Sequence, residues 1–332
     1  MALVDDGYTA LADLISAFDE AEQVGCHVFL KSKPTRRRRD PWHMLSMAGN
    51  LADEMVETAE TTLREIAARA ADEDLIEEFT FDAMADHDIG VLSVADTPGL
   101  GQWLEEVPVP DWPQRFQGDE DVLENTRLYV TRLSFPDGRV LLNFRGSRNL
   151  NVALRRRNAV IAQFRPDADE LVPVGGTVVN FDQDVDFFLW EGLVFVRNLR
   201  TFESVTNIRR VTAQKAGEAV DALGERFALD DAEGLKEAIG ARPLLAKKLA
   251  SALRHGLVAD IDVGALPERI AAKELDIVCE ADGEGFRLRI DARDRRQVQD
   301  FVDLMSDVFL HSPVTGREWV VSVKKPPRPR RR

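Results

Sequence analysis

The chain has little cysteine and no long hydrophobic run, and each shortage excludes a class of protein. Cys26 and Cys279 are the only cysteines among 332 residues, which excludes a disulfide framework and favours a reducing compartment. No run of about 18 apolar residues occurs, so the sequence offers no membrane-spanning helix. The N-terminal segment is acidic and lacks the basic and then apolar pattern of a secretory signal. We therefore expect a cytoplasmic protein.

Common signatures of catalysis and cofactor binding are also missing. The Asp96-Thr97-Pro98-Gly99 turn follows an apolar segment as in GTPases, but no GxxxxGK[ST] segment is present to hold nucleotide phosphates. There is no HExxH, CxxC or GxSxG, and no histidine stands three or four residues from another histidine or a cysteine. We predict no catalytic residue, no metal site and no cofactor, and an enzyme is the less favoured interpretation.

A metal-dependent nuclease is the enzyme class that comes nearest to the sequence. Such an enzyme needs clustered carboxylates, usually with a lysine, to hold a divalent ion and activate water. Asp276, Glu280 and Asp282 lie on and after one predicted strand, but the next strand carries Arg287 and Arg289 where an acidic and a lysine residue are expected. A nuclease acting through Asp276 therefore stays open as an alternative.

Charge is distributed unevenly along the chain, whose net charge is −15. Residues 1–125 contain 9 Lys and Arg against 28 Asp and Glu, whereas residues 126–332 contain 34 against 30. This asymmetry predicts a boundary near residue 125 and places a surface for polyanions in the second part. We expect an acidic, α-rich N-terminal region at 1–125, an α+β domain at 126–325 and a basic disordered tail at 326–332.

Hydrophobic patterning in the second part predicts strands followed by helices. Residues 181–203 read as two strands, apolar on both faces, joined at Glu191–Gly192 and followed by a helix that begins near Thr201. A Pro-Asp-Gly turn at 136–138 indicates an earlier hairpin, and apolar residues at helical spacing indicate a helix over about 293–310. The order of elements favours an α+β fold with a mixed or mostly antiparallel sheet and packed helices.

The segment 138–166 contains seven arginines and no acidic residue. Short polar residues and glycine accompany the arginines, and this combination suits contacts with phosphate groups. The other interpretation is a solvated face that pairs with acidic protein. We predict that nucleic acid is bound by residues of this segment and by the two lysines that directly precede the basic tail: Arg145, Arg148, Arg155, Arg156, Arg157, Lys324 and Lys325.

Three stretches of the second part resemble a known family. They are the aromatic hairpin that runs into Val196-Arg197-Asn198-Leu199-Arg200-Thr201-Phe202-Glu203, the helix that ends in Leu304-x-x-Asp307-x-x-Leu310, and the segment from Ser312 to Trp319 followed by a strand ending at Lys324. Together they resemble the B component of the Kiwa anti-phage defence system, the KwaB-like family, over about 126–325. Trp319 stands where a tyrosine is expected, and residues 1–125 carry no match.

The resemblance implies a homodimeric or otherwise homo-oligomeric DNA-binding protein of antiviral defence. It also implies a small multi-span membrane protein as a partner, encoded nearby, which would recruit the protein to the inner face of the membrane. Our leading hypothesis is a non-enzymatic DNA-binding effector that restricts phage replication. The alternatives are the nuclease and a structural module that docks on acidic protein.

Overall fold

The fold is described from a computed structural model. It covers residues 2–33, 42–79, 88–118, 120–146, 150–153, 162–165, 170–173, 178–181, 184–254, 256–283, 285–306, 309–311 and 318–320. The described residues form two compact units, the first extending to Thr206 and the second beginning at Asn207. Within the described ranges, no helix is both long enough and apolar enough to cross a membrane.

An eight-stranded sheet organises the first unit. Its strands in spatial order are β2 (Trp42–Met44), β1 (Gly25–Ser32), β5 (Thr126–Ser134), β6 (Val140–Gly146), β11 (Phe187–Trp190), β12 (Leu193–Val196), β4 (Ile89–Ser93) and β3 (Ile76–Glu78). Neighbours are antiparallel except β3 and β4, which are parallel. The predicted α+β class and mixed, mostly antiparallel sheet are therefore confirmed.

The predicted hairpin at 187–196 lies in the middle of this sheet. Glu191 and Gly192 have φ angles of 44° and 75°, the consecutive positive values of a tight hairpin turn. Both faces of the hairpin are covered, as its two-sided apolar pattern predicts. On one face Phe188 and Trp190 pack with buried residues of two helices, and on the other Phe187 stacks on Phe144.

Two helices, α1 (Ala2–Glu20) and α2 (Gly49–Glu73), cover the Trp190 face of the sheet. Each buries one stripe at helical spacing, with Leu11, Leu14 and Phe18 on α1 and a corresponding row on α2. Gly7 lets α1 approach the strands closely, because a Cβ there would lie 3.2 Å from Ile76. The shorter helices of this unit are α3 (Pro98–Glu105), α4 (Glu120–Asn125) and α5 (Leu199–Val205).

Residues 147–183, which we call the arm, connect the neighbouring strands β6 and β11. Two antiparallel strand pairs are nested within it, β7 (Leu150–Ala153) with β10 (Val178–Phe181) and β8 (Ala162–Arg165) with β9 (Glu170–Pro173). The pair nearer to the sheet is anchored, since Val179 and Phe181 pack against a cluster that includes Leu30 and Tyr129. The Phe181 and Tyr129 rings meet edge to face at 5.6 Å.

The second unit has its own hydrophobic core, which contains Leu249 and Phe301, both fully buried. The predicted helix near 293–310 is present as α11 (Arg295–Met305), and Asp294 caps its first turn by accepting from the Arg296 and Gln297 N–H groups. The elements of this unit are α6 (Ile208–Gly224), β13 (Ala228–Leu229), α7 (Ala232–Gly240), α8 (Pro243–Arg254), α9 (Leu257–Asp260), a 3-10 turn (Val263–Ala265), α10 (Leu266–Ala272), β14 (Val278–Asp282), β15 (Gly285–Arg289), α11 (Arg295–Met305), β16 (Phe309–His311) and β17 (Glu318–Val320).

The compact units do not coincide with the boundary that charge predicts near residue 125. Strand β1 pairs along its length with β5, and β4 pairs with β12, so residues on both sides of 125 build one sheet. The division lies instead near residue 206. The distribution of charge along the chain reflects the exposed residues, whereas the division between the units reflects strand pairing and shared burial of apolar residues. In this protein the charge boundary and the structural division therefore lie at different positions. The predicted tail at 326–332 lies outside the described residues.

Candidate nucleic-acid interface

Positive and negative charge are segregated on the two limbs of the arm. The outgoing limb, residues 147–165, has five arginines and no acidic residue, whereas the returning limb, residues 166–183, has four acidic residues and no lysine or arginine. Antiparallel pairing places the limbs side by side, and the Cα atoms of Arg165 and Glu170 are direct register partners. In sequence, the arm thus has one basic and one acidic limb, and the described strands of the two limbs pair with each other.

A buried carboxylate joins the two ends of the arm. Asp186, directly before β11, is 1% exposed. Its side chain accepts hydrogen bonds from the Gly146 N–H at 2.7 Å and from Arg145 Nη1 at 3.0 Å, both at the end of β6. Gly146 directly precedes the arm, so this carboxylate ties the strand that leaves for the arm to the strand that returns from it. A side chain at 146 would crowd this place, because a Cβ there would lie 3.1 Å from Thr201 Cγ2 and also touch Asp186 Oδ2.

The same carboxylate also fixes the start of α5. Asn198 donates its side-chain N–H to Asp186 Oδ1 at 2.9 Å, and its Oδ1 caps α5 by accepting from Thr201 N–H at 3.1 Å. Four residues after Asn198, Phe202 is fully buried, edge to face on Phe187 at 5.0 Å. The Asn-x-x-x-Phe spacing seen in the sequence is therefore a helix cap and a core anchor.

Asp184 adds a second, more exposed ion pair at the base of the arm. It pairs with Arg197 Nη1 and lies 3.5 Å from Arg145 Nη2. Burial alone would raise the pKa of Asp184, but the hydrogen bond and charge of Arg197, with smaller effects of the Val185 N–H and Arg145, lower it. Asp184 therefore stays ionised at neutral pH and holds both arginines.

The segment that contains the arm also carries a family signature. A family model described as Kiwa protein KwaB-like matches residues 140–315, just over half of the chain. The chain belongs to the KwaB-like family. Searches of curated proteins and of solved structures gave no significant match. Family membership indicates a component of Kiwa anti-phage defence. The matched region begins at β6 and includes the arm, Asp186 and most of the second unit.

Two arginines of the acid-free segment have partners inside this KwaB-like protein. Arg145, one of the predicted nucleic-acid ligands, has a side chain only 12% exposed and is held by Asp186 and Asp184. Arg139 binds Asp13 through Nη1 at 2.9 Å and also pairs with Asp137. Sequence reasoning missed the acids that face Arg139 and Arg145 across the fold, because Asp13 and Asp186 are 126 and 41 residues away. Arg145 therefore has a structural place at the base of the arm.

The other predicted ligands lie outside the described residues. They are Arg148, Arg155, Arg156, Arg157, Lys324 and Lys325. Their assignment to nucleic acid stays a prediction. In sequence, the first four belong to the outgoing limb of the arm, between the end of β6 and the start of β8.

Two of the three carboxylates considered for a nuclease are engaged in cross-strand ion pairs, whereas Asp276 precedes β14, which begins at Val278. Glu280 lies 3.3 Å from Arg289 Nη2, and Asp282 lies 2.9 Å from Arg287 Nη2. These bonds join β14 to β15 and explain why arginines stand where a nuclease would need an acid and a lysine. Over the ranges the structure covers, no group of three or more potential ligands is placed to hold a metal ion.

A cleft of about 250 Å³ in the first unit borders the ion pair of Asp184 and Arg197. Its other charged residues are Glu65, Arg69 and Asp88, so carboxylates outnumber arginines in its wall. Such a wall repels a polyanion. The cleft therefore does not extend the basic limb of the arm.

Proposed function

We propose that this KwaB-like protein is a non-enzymatic DNA-binding effector of anti-phage defence and that the arm contacts the DNA backbone. The observation that carries the proposal is the outgoing limb, where five arginines occur without an acidic residue. Arginine can hold a phosphate through two parallel N–H bonds, which favours it over lysine for this purpose. A function by binding rather than by catalysis is consistent with the described residues, because the carboxylates of Glu280 and Asp282 on strand β14 form ion pairs with arginines.

Asp186 supports this proposal by fixing the base of the arm. A flexible segment loses conformational entropy when it binds, and anchoring the base of the segment in the folded protein reduces that loss. The hydrogen bonds of Asp186 to Gly146 and Arg145, and the packing of Phe181 on Tyr129, supply two anchors at the same end of the arm. The basic limb therefore starts from a defined position on the sheet.

Phosphate contacts carry no base sequence information, so binding should be non-specific. In the proposed system the protein is homo-oligomeric and acts with a small multi-span membrane protein encoded nearby, which would bring it to the membrane. Bound DNA would then be held where replication of phage is blocked. This part of the proposal rests on the family resemblance and on the basic limb together.

A salt titration of affinity for duplex DNA tests the assignment of residues. Log affinity falls linearly with log salt, and the slope decreases by about 0.9 for each phosphate that the protein no longer neutralises. Replacing Arg155, Arg156 and Arg157 by alanine should therefore reduce the slope by about 2 to 3 and weaken binding to unrelated sequences equally.

A matched control removes three arginines elsewhere, by replacing Arg36, Arg37 and Arg38 with alanine. Both variants lose the same charge, so a general loss of electrostatic attraction affects them alike. A slope that changes only in the arm variant supports the proposal. A slope that changes only in the control would assign the DNA-binding surface to residues 36–38. A slope in the arm variant equal to that of wild type would show that these three arginines of the arm do not contact DNA phosphates.

A further inference from the structure

Two basic side chains far from the arm in sequence lie on one face of the sheet with no acidic partner among the described residues. His27 on β1 and Arg132 on β5 are direct register partners, so their side chains lie next to each other. The neighbouring positions on this face are apolar and buried, with Phe29 following His27 and Leu142 opposite Arg132. His27 and Arg132 are themselves partly buried, so each basic group has lost part of its hydration.

One buried nitrogen of each of these side chains has no hydrogen-bond partner within the described part of the chain. Arg132 Nε and His27 Nδ1 are both buried and have no hydrogen-bond partner there. Burial lowers the pKa of Arg132, and no carboxylate of the described ranges opposes this effect. A buried N–H without an acceptor is costly, so an oxygen ligand that reaches the partly buried Arg132 side chain would be favourable.

A third basic residue, Arg115, acts on the same position. The segment that carries it is fixed to β2, because Met44 N–H donates to Gln114 O at 2.9 Å and Phe116 N–H donates to Met44 O at 2.9 Å. Arg115 Nη1 donates to the Met44 sulfur at 3.0 Å, and a thioether is a weak acceptor that leaves the guanidinium available to a stronger one. Burial lowers the pKa of His27, and the charges of Arg132 and Arg115 lower it further, while Asp111 opposes them.

We propose that His27, Arg115 and Arg132 form a binding site for a phosphate-type oxyanion. An oxyanion would accept from the guanidinium of Arg132 and from His27, and it would balance the charges of Arg132 and Arg115 beside these partly buried side chains. Free phosphate and the phosphodiester of a nucleic acid share this chemistry. The site is independent of the arm, and the proposal holds whether or not the arm binds DNA.

Inorganic phosphate is the probe, titrated into the full-length protein at constant ionic strength against chloride and followed by calorimetry and thermal unfolding. Wild type should bind phosphate and be stabilised by it. Arg132→Gln should weaken binding about tenfold or more, because a charge-assisted hydrogen bond and a full charge are removed. Arg127→Gln is the matched control, since Arg127 is an exposed residue of the same strand that lies at a register irregularity five positions from Arg132.

Wild type that binds phosphate no better than chloride would overturn the proposal, as would equal phosphate affinity in wild type and Arg132→Gln. A second measurement on wild type alone covers the case in which Arg132→Gln fails to fold. The His27 ring titration, followed by NMR, should move to higher pH with phosphate, because a bound anion opposes the charges of Arg115 and Arg132 as Asp111 does. An unmoved His27 titration would also overturn the proposal.

Short oligonucleotides identify the source of the anion. Displacement of phosphate by an oligonucleotide in the arm variant, in which Arg155, Arg156 and Arg157 are alanine, assigns the site to a phosphodiester. Phosphate binding without displacement assigns it to the free ion. Since the DNA titration changes only the arm and the phosphate titration changes only Arg132, failure of one proposal is distinguishable from failure of the other.

Discussion

Removal of the Asp186 carboxylate should destabilise the first unit strongly. In the Asp186→Ala variant, the Gly146 N–H, the Arg145 guanidinium and the Asn198 amide each lose an acceptor in a site that is 1% exposed. Breaking a buried ion pair by removal of one partner costs about 3–5 kcal/mol. Arg145 retains Asp184 at 3.5 Å as a second partner, so we expect a loss near the lower end, about 3 kcal/mol.

Tryptophan fluorescence during urea unfolding measures this loss. Trp42, Trp103, Trp112 and Trp190 all belong to the first unit, so the signal reports mainly on the sheet to which Asp186 belongs. With a urea dependence of about 2–3 kcal/mol per M, the midpoint should fall by roughly 1 M. Asp184→Ala is the matched control: its side chain is 48% exposed, and an exposed ion pair contributes only about 0–1 kcal/mol. Equal midpoints for the two variants would refute the assignment of Asp186 as the buried anchor of the arm.

Three further predictions concern the core, the pH dependence and the units. Trp190→Ala should lower the free energy of urea unfolding by about 3–5 kcal/mol, because the ring is fully buried against Phe135 and its Nε1 donates to Asp13. A loss of stability under about 1 kcal/mol would contradict this packing. Because the pKa of Asp184 is lowered in the folded state, its ionised form stabilises the fold at pH values above the ordinary pKa of 3.8, and this stabilisation is lost as pH falls through the folded pKa. The difference in unfolding free energy between wild type and Asp184→Asn should therefore shrink below about pH 4. A difference that grows on acidification would contradict the lowered pKa. A fragment of residues 207–332 should unfold cooperatively in calorimetry because it retains its own core. A fragment of residues 124–332 should show no unfolding transition of the eight-stranded sheet, because it lacks the strands that pair with β5 and β12. The opposite pattern would support the boundary near residue 125.

Local sequence patterns predicted those helices and strands whose conformation is determined by residues close together in the sequence. The hairpin at 187–196 follows from its two-sided apolar pattern and the Glu-Gly turn, and helix α11 follows from apolar residues at helical spacing after Asp294. The KwaB-like family was likewise predicted in part from the motif around Asn198 and Phe202 and is confirmed by the family match. Each of these signals lies within about 20 residues of sequence.

Contacts between distant residues could not be predicted in the same way. The pairing of β1 with β5 joins residues about 100 positions apart, and nothing local to either strand specifies its neighbour. The partner of Arg145 was missed for the same reason, since an acid-free segment indicates solvent-facing charge unless an acid arrives from elsewhere. The short Asp-x-Asp run at 184–186 was the available signal: the second acid lies at the entry of a strand apolar on both faces, where a carboxylate needs buried donors.

The most direct test of the central claim is the affinity of the wild-type protein for duplex DNA of unrelated sequences, measured over a range of salt concentrations. We predict binding at low salt that is equal for all sequences and that weakens linearly on a log–log plot. The slope should fall when Arg155, Arg156 and Arg157 are alanine and stay unchanged when Arg36, Arg37 and Arg38 are alanine. Absence of measurable binding at low salt would contradict the account and leave a protein-docking role for the basic limb of the arm.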